Sequence, residues 1–192
     1  LLSELQHLKY QIQPHFFFNS LNNIYSLVEI SPTKAQEAIH SLSTLMRYLL
    51  YDTGKEKTEL FKEIKFIIKY IELMELRHNN KTTCKYSFPE TENLSHQIAP
   101  LLFITLIENA YKHGISASQA SDISFKMTLN NNQLFFVSIN SNYPKNGKDI
   151  SGSGIGLENL KKRLELIYPE KHKLYNEVNN NIYRATLIID LI

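Results

Sequence analysis

The sequence predicts an α+β protein, in which an N-terminal pair of antiparallel helices precedes an α/β sandwich of one sheet with helices on one face. Three observations predict it. Apolar residues recur at three- and four-residue steps through about the first fifty positions. Beyond them, helical stripes mix with runs of strand formers. Two asparagine runs, Asn130-Asn131-Asn132 and Asn179-Asn180-Asn181, punctuate those strands as tight turns would.

Leu1, Leu5, Leu8, Ile12, Leu21, Ile24 and Val28 share one helical face. Ser31-Pro32-Thr33 stops that helix and starts another, whose stripe is Ala35, Ala38, Ile39, Leu42, Leu45, Met46, Leu49 and Leu50. Apolar faces this extensive are not covered by a two-helix hairpin, so a homodimer forming a four-helix bundle is expected. Asp52-Thr53-Gly54-Lys55 breaks the pattern and sets the expected boundary between residues 1–55 and residues 56–192. A third helix is predicted from Thr58 to Arg77, closed by His78-Asn79-Asn80-Lys81, then a strand from Thr83 to Phe88. Ile98 to Gly114 reads as a helix that begins near Pro100 and ends on a glycine suited to a C-cap. Strands follow at Ile123–Leu129 and Leu134–Ile139, a polar loop from Asn142 to Ser153, a helix from Leu157 to Tyr168, and strands near Leu174–Val178 and Tyr183–Ile189.

Bulk composition narrows the function classes. A hydrophobic share of 43% in 192 residues supports a real core. Lysine and arginine total 21 against 19 acids, and a net charge of +2 makes no electrostatic case for nucleic acid. The single cysteine, Cys84, cannot form an intramolecular disulfide, which fits a reducing compartment. The longest apolar run, Ile98 to Ile107, is too short to cross a bilayer, so no membrane contact is expected from this segment. Because the chain opens inside a helical pattern with no signal segment, it is expected to be a piece of a longer protein.

Three motifs carry chemistry. In "QIQPHFFFNSLNNI", His15 and Asn19 lie one helical turn apart, and a neutral imidazole keeps a lone pair for an electrophilic phosphorus. A histidine that merely packs among phenylalanines is the alternative, and Pro14 weighs against it, because a mid-helix proline bends the axis and exposes its neighbours. In "LIENAYKHGI", Asn109, Lys112 and His113 share a helix face beside Glu108. An amide oxygen can bind magnesium, a lysine can bind phosphate, and a carboxylate can orient a reacting group; a polar stripe that simply meets solvent explains the same residues equally well. In "GSGIGLENLKKRL", Gly152, Gly154 and Gly156 precede a helix, where backbone N–H groups can approach phosphate. Glycine-rich loops before helices are common, so this motif is weak alone.

In this order and at these separations, the three motifs resemble the LytS/YehU-type sensor histidine kinases of two-component systems, whose catalytic half is a GHKL-type ATP-binding domain. The resemblance extends to "RYLLY" at 47–51 and "ELFKEIKFIIKYIELMELR" at 59–77 and so covers nearly the whole chain. It implies an ATP- and Mg2+-dependent protein-histidine kinase in which His15 is the phosphoacceptor, Glu108 the polarising acid and Asn109 the magnesium ligand. It further implies that Lys112, His113, Gly152, Gly154 and Gly156 line the phosphates, with 142–153 as a lid. The implied partner is a response regulator, of LytTR type, which takes the phosphate on an aspartate. The implied setting is the cytoplasmic part of a protein anchored in the inner membrane.

Two positions depart from the pattern. Phe17 stands where leucine is common, a conservative change. Asn140 stands at the strand end where the family places an aspartate that reads adenine, and "NSNYPK" replaces the glycine-bearing turn after it. That departure motivates an alternative, a pseudokinase scaffold that dimerises without transferring phosphate. A serine kinase of the same superfamily is disfavoured, since such proteins lack a histidine-bearing helix pair.

Overall fold

A computed structural model describes residues 14–76, 81–90, 94–116, 118–143 and 155–191, with the backbone alone at 14–16. The expected apolar positions from Leu1 to Ile12, the helix stop at 78–80, Gly152, Gly154 and nearly all of the expected lid lie outside the described residues.

Helix α1 runs Pro14–Ile30 and α2 runs Pro32–Tyr51. Between them Ser31 leaves the helical conformation, with φ −153° and ψ 85°, and Pro32 opens α2 at the first turn, where its missing N–H is not needed. The buried face of α2 is Ala35, Ala38, Ser41, Leu42, Leu45 and Tyr48; of the stripe read from the sequence, Ile39, Met46 and Leu50 are instead exposed. Phe18, Leu21, Tyr25 and Val28 are 65%, 52%, 82% and 50% exposed. Spaced by three and four residues, they form an uncovered apolar stripe along α1.

Two expected helix starts differ. Thr58–Glu59 is a short strand, β1, and α3 spans Leu60–Glu75. Strand β2 is Thr82–Ser87, and Gln97–Ile98 is another short strand, β3, paired antiparallel with β1. Helix α4 therefore begins only at Ile104 and ends at Gly114. Pairing between segments far apart in sequence overrode the helical pattern at both starts.

Strands β4 (Ser121–Asn130), β5 (Gln133–Ser141), β6 (His172–Asn179) and β7 (Ile182–Asp190) complete the structure with helix α5 (Ile155–Ile167). The main sheet has the order β2-β4-β5-β7-β6. Among the described residues only β2 and β4 pair in parallel, and α4 lies in the crossover between them. Both asparagine turns hold two consecutive left-handed residues, Asn131 with Asn132 and Asn180 with Asn181. That is the backbone a two-residue hairpin requires, and asparagine tolerates it.

One sheet face is buried: Ile123, Phe125 and Met127 of β4, Leu134, Phe136, Ser138 and Asn140 of β5, and Ala185, Leu187 and Ile189 of β7. Phe103 meets Phe136 at 4.8 Å across this layer. The core is continuous from Ala35 and Leu45 in α2 through α3 to the sheet. Among the described residues, no helix is long and apolar enough to cross a membrane.

Candidate functional site

Helix α4 organises the site. Its apolar residues Leu106, Ile107, Ala110 and Tyr111 are buried, which turns Glu108, Asn109, Lys112 and His113 toward its other side. Glu108 and Asn109 are half-buried, Lys112 is exposed and His113 is half-buried. Glu108 accepts a hydrogen bond from the Tyr70 hydroxyl of α3 at 3.0 Å. Burial raises its carboxyl above the ordinary range, while Tyr70 and the Lys112 charge oppose that shift.

The two ends of α4 are marked by close approaches. At its start, a Cβ on Gly156 would stand 3.3 Å from Thr105 Cγ2, so the end of the glycine motif lies against α4 one turn before Asn109. At its end, Gly114 sits over Asn140, where a Cβ would come within 2.6 Å of the Asn140 Cβ. Gly114 is thus glycine for close packing; the C-cap is the extended Ile115, and no left-handed turn is made there. Thr105 to Gly114 spans nine helical steps, about 14 Å, a length comparable with a nucleoside triphosphate.

Asn140 is 1% exposed. Its Nδ2 donates to the carbonyl of Ser141 at 2.7 Å, while its Oδ1 is buried with no hydrogen-bond partner. Ser138, two residues earlier on the same face of β5, also carries a buried hydroxyl without a partner. Such atoms cost about 1–3 kcal/mol each when unsatisfied, and two side by side fit a polar ligand edge. Such an acceptor suits a donor such as the amino group of adenine. The departure at residue 140 therefore keeps hydrogen-bonding capacity while giving up charge.

The described residues hold no cluster of three or more carboxylate, imidazole or thiol groups able to bind a metal. A magnesium ion here would rest on the Asn109 amide oxygen and on phosphate oxygens, as this hard, hydrated ion commonly does.

The fold thus brings Glu108, Asn109, Lys112, His113, Asn140 and Gly156 around one helix; Gly152 and Gly154 fall outside the described residues. His15 belongs to a different element, at the first turn of α1. Ser138, Thr105 and Tyr70 were missed in the sequence. Strand alternation from Asn140 would have found Ser138, whereas Tyr70 joins Glu108 across 38 residues and left no local signal.

Residues 3–82 match the family model described as "Histidine kinase". Sensor protein kinase HptS of Staphylococcus aureus strain USA300 is 34% identical over 127 residues, which cover 66% of this chain and 24% of that protein. The chain thus spans about a quarter of the length of the curated relatives it matches. Among solved structures, the histidine kinase domain of the blue-light activated histidine kinase EL346 from Erythrobacter litoralis is 12% identical with a TM-score of 0.54, over 98% of this chain and 94% of that one. Acinetobacter baumannii histidine kinase AdeS is 12% identical with a TM-score of 0.50, over 87% and 83%. At these identities the structures show a shared fold.

Proposed function

We propose that this chain, which belongs to the histidine kinase family, is the kinase core of a two-component sensor and transfers the γ-phosphoryl group of ATP to His15. The observation that carries the reading is the Asn140 acceptor, buried without a partner beneath Gly114 at the end of α4.

In this reading Asn140 Oδ1, with Ser138 nearby, takes the adenine edge. Asn109 holds magnesium, which when bound neutralises phosphate charge, and Lys112, His113 and the glycine motif ending at Gly156 receive the phosphates. The His15 imidazole attacks the γ-phosphorus in line: an N–P bond forms, the bond to the bridging oxygen of ADP breaks, and ADP leaves. The imidazole proton passes to a base, with Glu108 as the candidate, since burial raises its carboxyl above the ordinary range and so makes it a better proton acceptor. Positioning and charge neutralisation supply most of the catalysis in such transfers.

Residues 1–55 would serve dimerisation and phosphotransfer, and residues 56–192 would bind ATP. The exposed stripe of Phe18, Leu21, Tyr25 and Val28 supports a homodimer with a four-helix bundle. The phosphohistidine would pass its group to an aspartate of a response regulator, of LytTR type, and the whole protein would be anchored in the inner membrane with this core in the cytoplasm. The uncharged Asn140 supports a second reading, a scaffold that binds nucleotide weakly and transfers nothing.

Incubation with γ-labelled ATP and magnesium decides between them. A label lost in acid and stable in alkali is expected for phosphohistidine. No incorporation would leave the scaffold.

A further inference from the structure

Glu63 lies wholly buried within α3, and its two oxygens are held from two directions. Oε2 accepts a hydrogen bond from the Tyr48 hydroxyl of α2. Oε1 accepts one from the Leu101 N–H at 2.8 Å. Arg163 of α5 grips the same turn from its other side, donating to the carbonyls of Pro100 and Leu101. Leu101 itself has φ of 61°, a conformation that a bulky residue keeps only where its surroundings enforce it. Helix α4, which carries Glu108 and Asn109, begins three residues later at Ile104.

Tyr48 is also packed firmly, its ring stacked on Phe66 of α3 at 4.7 Å. Tyr48 stands in the last turn of α2, and an antiparallel hairpin turning at Ser31 would set the backbone of His15 opposite that end. One carboxyl group therefore joins the last turn of α2 to the turn that launches the helix of the nucleotide site.

We infer that Tyr48 and Glu63 are positioning residues, which align the nucleotide-site helix with His15 through the Leu101 turn. For its catalytic consequence this rests on the kinase reading above. Removing the Tyr48 hydroxyl leaves a fully buried carboxyl oxygen without its donor. The group must then reorient at the expense of its bond to Leu101, so the start of α4 loosens although its apolar face still holds it on the sheet.

Tyr48→Phe tests this in the whole chain, since phenylalanine keeps the stack on Phe66 and removes only the hydroxyl. The rate of histidine labelling at saturating ATP is expected to fall about tenfold, with the KM for ATP changed less than twofold. Hydrogen exchange at the Leu101 and Leu102 amides is expected to quicken about tenfold, while the β4–β5 amides stay protected as a check on folding. A labelling rate that is unchanged or raised overturns the alignment role, and unaltered exchange at Leu101 overturns the coupling itself. If the unsubstituted chain takes no label, the kinase reading fails, and the exchange measurement still decides whether Tyr48 controls this turn.

Discussion

Gly114→Ala places a methyl group in the tightest contact of the site. The new Cβ would stand 2.6 Å from Asn140 Cβ and 3.0 Å from its Nδ2. Carbon atoms in good contact lie about 3.5–4.0 Å apart, so about 1 Å must open between the end of α4 and β5. No rotamer change relieves the first clash, because both Cβ positions are fixed by backbone. Overpacking of this kind costs about 1–3 kcal/mol, and alanine returns at most about 1 kcal/mol through helix propensity. A net loss of about 1–2 kcal/mol is expected from urea unfolding. The displaced Asn140 should also lose the hydrogen bond proposed above to the purine, which corresponds to about a fivefold weaker ATP affinity by calorimetry with magnesium present. A stability change under about 0.5 kcal/mol together with unaltered ATP affinity would refute both the packing argument and the placement of adenine against Asn140.

Three further expectations concern separate parts of the site. His15→Gln should abolish acid-labile labelling while ATP affinity stays within about twofold, because a nucleophile is lost and no ligand contact is; equal labelling would place the acceptor elsewhere. Asn109→Ala should weaken nucleotide binding about tenfold with magnesium and little in its absence, which paired titrations with and without EDTA would read. Burial raises the Glu63 carboxyl to about 7, against the opposing pull of Tyr48, the Leu101 N–H and the Arg163 charge. With the folded pKa above the unfolded one, the native state holds the extra proton between about pH 4.5 and 7, so stability falls as pH rises through that window. Relative to Glu63→Gln, the unsubstituted protein should lose on the order of 3 kcal/mol of unfolding free energy between pH 4.5 and 8, and parallel profiles of the two proteins would contradict a protonated Glu63.

Much of the fold was legible because its signals are local. Of the α2 stripe read from helical period, Ala35, Ala38, Leu42 and Leu45 are buried, whereas Ile39, Met46 and Leu50 on its flank are exposed. The asparagine turns needed only residues that tolerate a left-handed backbone, and Asn131, Asn132, Asn180 and Asn181 adopt it. Glu63 left a signal that was not used: it lies three residues after Leu60 and four before Ile67, on the apolar face, where a charge needs a partner. The partner itself, Tyr48, could not be named from that spacing.

What the sequence determined by itself was the order of the helices and of the five strands of the main sheet, the asparagine hairpins and the set of polar residues on α4, since each depends on periodicity or on one residue's backbone preference. Tertiary structure alone decided that Thr58–Glu59 pairs with Gln97–Ile98, that Gly114 is small because Asn140 lies beneath it, and that Glu63 ties α2 to the Leu101 turn. These are contacts between segments far apart along the chain. Their energies depend on which atoms the whole fold brings within a few ångströms, and no window of sequence contains that information.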